Sequence, residues 1–157
     1  MTAQRQWPVV AALLLTAGCQ GQPPYRGKTV AQLERMLHDR EATVQVQGAM
    51  GLSGHGPAAL AAVPALIELF GSDDALVRQH AALALGNIGP DGAEAAVPVL
   101  TAALSDPEWI VRRQAAVALA RLGPQAQAAV PHLQELTRDP SSVVRTAALQ
   151  TLNELQP

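Results

Sequence analysis

One motif, Val-Pro-x-Leu, recurs along this 157-residue chain at a nearly fixed interval. It occurs three times, at positions 63–66, 97–100 and 130–133. A Val-Arg pair repeats with the same spacing, at positions 77–78, 111–112 and 144–145. A period of roughly 33 residues is typical of repeat proteins, in which each unit buries its apolar face only by stacking against its neighbours.

A degenerate copy precedes these three. Val30 and Leu33 occupy the positions that Val63 and Leu66 hold one period later. The chain is therefore expected to contain four copies, which cover about residues 30–56, 63–89, 97–123 and 130–155.

Each copy predicts two helices. The first is expected to begin with the repeat proline, because the missing N–H costs nothing at the first helical position. Four side chains are expected to cap the second helix as N-cap residues: Asp39, Ser72, Asp106 and Asp139. Pro107 and Pro140 follow two of these residues and are expected at first helical positions again.

The second helix of each copy has one apolar face, with residues at i, i+4, i+7 and i+8. The second copy shows it at Val77, Ala81, Ala84 and Leu85. Gly86, Gly89 and Pro90 are expected to end this helix. Composition agrees, because a chain with 48% hydrophobic but only 3% aromatic residues favours closely packed helices over a β-sandwich.

The last copy differs from the others at two positions of its second helix. Gln150 replaces an apolar residue, and Thr151 replaces alanine. Because no further copy follows in this sequence, both are interpreted as a polar cap, with the stack ending where the chain ends.

Residues 81–90, Ala-Ala-Leu-Ala-Leu-Gly-Asn-Ile-Gly-Pro, and the spacing Asp-x5-Arg resemble HEAT repeats, most closely the phycobilisome-lyase-like subtype. The resemblance implies an all-α fold: a right-handed α-solenoid of four helical hairpins. It also implies a structural ladder of hydrogen bonds between neighbouring repeats, at the matching positions Asp106, Arg112, Asp139, Arg145 and Arg78. Ser72 and Gln45 depart from this pattern in the second and first copies.

The N-terminus resembles a bacterial lipoprotein signal. A polar start with Arg5 leads into a short apolar run and the small residues before Cys19. The resemblance implies a signal peptide over residues 1–18 and lipidation of Cys19, whose acyl chains would hold the protein on the cell envelope, facing the periplasm. Gln20, rather than aspartate, favours the outer membrane. The alternatives are an ordinary secretory peptide with a chance cysteine, or a buried N-terminal helix.

Residues 19–28 are expected to form the lipidated cysteine and a tether, since Gly21, Pro23, Pro24 and Gly27 leave no room for a helix. An extended tether of this length reaches roughly 30 Å. The repeat domain is expected to cover residues 29–157.

Motifs that suggest catalysis are incomplete. Residues 27–29, Gly-Lys-Thr, lack the earlier glycine and the strand of a phosphate-binding loop. Residues 51–55 have His55 where a nucleophile elbow needs glycine. No two histidines stand at i and i+4, so no metal site and no cofactor is expected.

A candidate partner-binding surface lies on the second helices, which line the concave side of HEAT solenoids. The valine of the second helix recurs at positions 44, 77, 111 and 144. The position two residues after it points away from the core and is held by Val46, Gln79, Arg113 and Thr146. Trp109 stands where the other copies have Ala or Ser, so it is expected either to anchor a partner or to cover an inter-repeat loop.

These features predict a membrane-anchored scaffold or adaptor that binds a protein or peptide and catalyses nothing. A formal charge of −2 disfavours nucleic acid as a partner. The alternatives are a bilin-lyase-like or chaperone-type activity, implied by the repeat subtype, and a purely structural envelope lipoprotein.

Overall fold

Eight α-helices form four successive hairpins in the computed structural model, which describes residues 22–155. Their bounds are α1 Val30–Leu37, α2 Ala42–His55, α3 Val63–Glu68, α4 Ala75–Ile88, α5 Ala93–Ala103, α6 Trp109–Leu122, α7 Val130–Leu136 and α8 Ser142–Leu155. Short 3₁₀ helices follow or join them: Gly56–Ala62, Leu69–Gly71, Pro90–Gly92 and Gly123–Ala129. This architecture confirms the predicted α-solenoid.

The hairpins stack in two layers. The second helices pack in chain order, α2 on α4, α4 on α6 and α6 on α8, and each first helix packs on the second helix of its own repeat. The core lies between the layers. One fully buried leucine per first helix fills it: Leu33, Leu66, Leu100 and Leu133. Small residues of the second helices complete it, because alanine lets helix axes approach closely.

The predicted N-caps of the second helices are wrong by two residues. Asp106 Oδ1 accepts a hydrogen bond from Glu108 N at 2.9 Å, and α6 begins only after Glu108. Equivalent turns are closed by the other three side chains: Asp39, Ser72 and Asp139. In each turn the side-chain oxygen accepts a hydrogen bond from the backbone N–H two residues later. This bond keeps the backbone out of the helical conformation until the turn is complete. Pro107 and Pro140 therefore precede their helices.

The repeat prolines are also displaced from first helical positions. Pro64 and Pro131 are the second residues of α3 and α7. Pro98 lies inside α5, little more than one turn after Ala93. The reason is that the preceding 3₁₀ turns run directly into the first helices, so these begin earlier than the proline alone would indicate.

Glycines with positive φ end three second helices, at Gly56 (φ 53°), Gly89 (φ 84°) and Gly123 (φ 63°). Gly86 does not end a helix, so its prediction as a helix stop is wrong. It lies buried within α4, where a Cβ would meet the Cα of Ala118 at 2.8 Å. The absence of a side chain at this position lets α4 and α6 pack closely together.

The predicted polar cap of the last repeat is wrong for Thr151. This residue is 1% exposed, and its hydroxyl donates to Ala116 O (3.0 Å) and Ala147 O (2.8 Å). It therefore faces the preceding repeat. The uncovered side of α8 instead carries Leu149, which is 58% exposed although its equivalents Ala49, Ala82 and Ala116 are fully buried.

The described part of the predicted tether, residues 22–28, packs against the first repeat. A turn bonds Arg26 N to Pro23 O. Tyr25 is half-buried against the core beside Gly51, and Lys28 O lies 3.0 Å from His55 Nε2. The described residues of this segment are therefore part of the folded first repeat and do not form an extended tether. The predicted signal peptide and Cys19 lie outside the described residues.

Among the described residues, the segment 42–71 is long and apolar enough to cross a membrane by length and composition alone. It is not a single helix. Gly56 breaks it with a positive φ, and its two halves, α2 and α3, both pack on α4. Many of its apolar residues, among them Leu52, Leu66 and Leu69, belong to the solenoid core.

Candidate functional site

Two arginine–aspartate pairs join successive repeats along one side of the stack. Arg78 Nε and Nη2 donate to Asp106 Oδ2 and Oδ1 at 2.8 and 2.9 Å. Arg112 makes the same two bonds to Asp139, at 2.7 and 3.0 Å. All four side chains are at most 15% exposed. A two-bond contact of this kind fixes both distance and orientation between repeats.

Their mutual contacts shift the pKa values of these groups. Asp139 has a lowered pKa because Arg112 donates to it, an effect that outweighs desolvation. At Asp106, desolvation is the largest single effect, but the bonds from Arg78 and Glu108 N together still leave its pKa lowered. The pKa values of Arg78 and Arg112 are raised by the same pairing. Both pairs are therefore ionised at neutral pH.

Each ladder arginine also closes its own repeat. Arg112 Nη1 donates to Asp106 O and Pro107 O, at 2.8 and 2.9 Å. Arg145 makes the corresponding bonds to Asp139 O and Pro140 O, but the described residues offer it no carboxylate from another repeat. The structure thus brings the predicted ladder residues together. Arg145 makes only the bonds within its own repeat.

The first interface lacks a pair. Gln45 takes the arginine position and keeps only the bond within its own repeat, to Asp39 O at 2.8 Å. Ser72 takes the aspartate position and offers a hydroxyl instead of a carboxylate. The departures noted in the sequence therefore fall on opposite sides of the same interface.

A second set of polar contacts, which the sequence did not predict, joins three successive repeats. Asn87 Nδ2 donates to Ser53 Oγ at 2.6 Å, and Arg121 Nη1 donates to Asn87 Oδ1. The three residues lie near the C-terminal ends of α2, α4 and α6. The available signal was the polar pair Asn87 and Arg121, one repeat period apart in equivalent positions.

The predicted partner-binding row lies across four helices. Val46 and Gln79 are half-buried on α2 and α4, Arg113 is half-buried on α6, and Thr146 is exposed on α8. Arg113 and Thr146 line one concavity of about 300 Å³, together with Val117, Val143 and Gln150. The structure brings these two residues together and places the other two on successive helices.

Gln79 differs from the rest of this row. Its Oε1 is buried and accepts no hydrogen bond from any residue in 22–155. An unpaired buried acceptor is costly, so Gln79 is a locally unfavourable choice for the stack.

Two flanking rows complete the surface and were not predicted. One row stands one residue before the second-helix valine at positions 44, 77, 111 and 144, and it consists of Thr43, Leu76, Ile110 and Val143. The other stands six residues after it: Met50, Leu83, Val117 and Gln150. We call these two rows and the predicted row between them the second-helix face. Leu76 is 51% exposed, Val143 46% and Met50 36%. Within each second helix the members of the three rows stand at i, i+3 and i+7, a spacing that places them on one face of the helix.

Trp109 begins α6 and is 46% exposed. The positions before it belong to the turn at Asp106, and those after it lead into the second-helix face. Nearly half of the surface of this residue is thus open to solvent at the edge of this face.

Residues 27–29 and 51–55 have structural roles. Thr29 is the N-cap of α1, where its side chain accepts from Gln32 N and Gln32 accepts from Thr29 N. Residues 51–55 lie within α2, and Gly51 packs against Leu33. Within residues 22–155 there is no group of three or more His, Cys, Asp or Glu that could hold a metal ion.

Several solved structures resemble this chain. An engineered protein is 28% identical, with a TM-score of 0.69 over 80% of this chain and 62% of its own. A designed armadillo repeat protein in complex with the peptide (KR)4 is 18% identical, with a TM-score of 0.70 over 81% and 64%. Human deoxyhypusine hydroxylase, an enzyme, is 26% identical, with a TM-score of 0.63 over 93% and 53%. The chain thus spans less than two thirds of the length of each.

Among curated proteins, none matches the sequence. The model of the family described as HEAT repeats matches residues 30–96 and 91–153. These ranges cover both arginine–aspartate pairs and all four hairpins except the last two residues of α8. The chain belongs to the HEAT-repeat family.

Proposed function

We propose that this chain is a membrane-anchored scaffold or adaptor that binds a protein or peptide partner along the second-helix face and catalyses nothing itself. The observation that carries the proposal is the exposure of large apolar side chains on that face, where Leu76 and Val143 lie in one flanking row and Met50 in the other. Apolar groups arranged as a patch, rather than scattered singly, mark interaction surfaces.

The different contacts of the arginines support the same proposal. Arg78 and Arg112 are committed to the ladder, and their bonds join one repeat to the next. Arg113 points to the second-helix face and lines its concavity instead. The family fold supplies a rigid support, and the identity of the partner depends on such surface residues.

Site-specific photo-crosslinking tests the binding proposal. A photoreactive phenylalanine analogue replaces Leu76 or Val143 in the full-length chain expressed in cells. The matched control replaces Gln134, an exposed residue of α7 in the other layer. We expect a discrete adduct from the first two positions only. Equal yields from all three positions, or adducts at Gln134 alone, would contradict the use of the second-helix face.

The anchor is proposed on the sequence of the N-terminus. Cleavage before Cys19 and acylation of that residue would place the stack on the cell envelope, facing the periplasm, with outer-membrane delivery favoured by Gln20. Two or three acyl chains suffice for stable attachment. Mass spectrometry of the mature N-terminus tests this. A free Cys19, or an intact residue 1–18 segment, would contradict it.

The alternatives are separately testable. Deoxyhypusine hydroxylase shows that a similar solenoid can belong to an enzyme, and the repeat subtype suggests a bilin-lyase-like or chaperone-type activity. Incubation of the purified protein with a bilin and an apoprotein would reveal a covalent adduct if that activity existed. A purely structural envelope role predicts that shortening the stack has a phenotype, whereas substitutions on the second-helix face have none.

A further inference from the structure

The second-helix face has an unusual charge distribution. Of the residues in its three rows, Arg113 alone is charged, and none carries a carboxylate. The remaining members are aliphatic, Thr or Gln, with Met50 at one end. A surface with one positive charge and no negative one disfavours a basic ligand and favours a single acidic group.

Arg113 is placed to meet such a group. It is half-buried and lines the concavity together with Val117 and Val143, so its surroundings are partly apolar. Ion pairs among residues 22–155 use Arg78 and Arg112 but not Arg113. A guanidinium in partly apolar surroundings binds a carboxylate through two parallel hydrogen bonds, more strongly than in open solvent.

The neighbouring helices set the shape of the ligand. Packed helices lie about 8–10 Å apart, and an extended peptide advances about 3.3 Å per residue. One helix spacing therefore corresponds to about three peptide residues. A segment that crosses α4, α6 and α8 would place one residue over Arg113 and residues about three positions away over Leu76 and Val143, the most exposed apolar side chains of the face.

We infer that the second-helix face takes an extended polypeptide segment with an acidic side chain over Arg113 and apolar side chains about three residues to either side. This inference rests on the proposed function and deepens it. It sets the chain apart from the designed armadillo protein solved with the basic peptide (KR)4, since lysine and arginine side chains would here meet a positive charge.

Selection from a displayed library of random twelve-residue peptides tests the inference. The target is the full-length chain in detergent, as wild type and as the variants Arg113→Glu, Arg113→Gln and Leu76→Asp. The matched control is Arg138→Glu, at an exposed arginine of the α7–α8 loop outside the face. Circular dichroism verifies that each variant remains helical.

We expect wild type to enrich peptides with Asp or Glu flanked by apolar residues about three positions away. Arg113→Glu should weaken them at least about tenfold and instead enrich Lys or Arg at the central position. Arg113→Gln should weaken them without that reversal, and Arg138→Glu should leave binding unchanged.

Two other outcomes are distinguishable. Peptides that are lost with Leu76→Asp but show no acidic preference, or a basic one, would overturn the inference while leaving the proposed function intact. A library that yields no peptide sensitive to Leu76→Asp would overturn both.

Discussion

Arg112 Nε lies 2.7 Å from Asp139 Oδ2, and the Nη2 of the same arginine lies 3.0 Å from Oδ1, across the boundary between the third and fourth repeats. The same aspartate accepts from Ser141 N within its own repeat. One carboxylate therefore fixes both the turn before α8 and the position of α8 relative to α6.

Removal of that carboxylate should be costly. Asp139→Asn keeps a turn-forming oxygen but leaves the mostly buried Arg112 without its counter-charge. We expect it to lower the free energy of unfolding by about 3 kcal/mol, measured by urea denaturation. Asp39→Asn is the matched control, because Asp39 closes the same turn without an arginine partner, and it should cost less than about 1 kcal/mol. Equal costs at the two positions would mean that the ion pair contributes little.

The ladder should also make stability depend on acid. Because Asp106 and Asp139 have pKa values below their usual range when folded, the unfolded chain binds protons first as the pH falls. Their stabilisation is present above the unfolded pKa of about 3.9 and is lost as the pH falls through the lower folded values. Thermal melts from pH 7 to pH 2 should therefore show wild type converging on the double variant Asp106→Asn, Asp139→Asn only below about pH 4. A difference that stays constant to pH 2 would contradict this.

Two glycines inside second helices should respond oppositely to alanine. At Gly86 the new Cβ would lie 2.8 Å from the Cα of Ala118, a backbone atom that cannot move without displacing α6. The clash should outweigh the gain in helix propensity and destabilise by about 1–3 kcal/mol. Gly54 lies in α2, where an added Cβ would have nothing within 4 Å, so Gly54→Ala should stabilise by about 0.5–1 kcal/mol. Melting temperatures of both variants test the pair, and a shared sign would argue against the close α4–α6 approach.

Trp109 separates the two interpretations left open by the sequence. With 46% of its surface exposed, Trp109→Ala should cost less than about 1 kcal/mol of stability if the ring serves a partner. In that case the yield of the Val143 photo-crosslink should fall clearly. If the ring covers an inter-repeat contact, the melting temperature should drop by several degrees and the crosslink yield should persist in the remaining folded protein.

The fold could be predicted because its information is periodic. Three Val-Pro-x-Leu motifs and one degenerate copy at Val30, each followed at a constant distance by a second valine, indicate the number of hairpins and the register of their buried faces. The helix starts were mispredicted because Asp and Ser favour both N-caps and the turns that precede helices. In either role, the side chain accepts from a backbone N–H two or three residues on.

The candidate site was only partly predictable. The row with Gln79 and Arg113 follows from helical geometry, because its members share one register position. The bond between Ser53 and Asn87 joins residues at different register positions, so no periodic signal marks it. The packing of Tyr25 on the first repeat occurs once and depends on the space that Gly51 leaves open.

The interface between the first two repeats, where Gln45 and Ser72 replace the charged pair, has a consequence for how the stack opens. In a linear array each unit is held by its neighbours alone, so a weaker boundary divides the cooperative unit. We therefore expect the α1–α2 hairpin to open locally before the second and third repeats, so that its amides exchange with solvent hydrogen before those of α4 and α6. We expect tension applied at the N-terminal end of α1 to open that hairpin first and to leave the remaining three repeats, with the concavity at Arg113, folded.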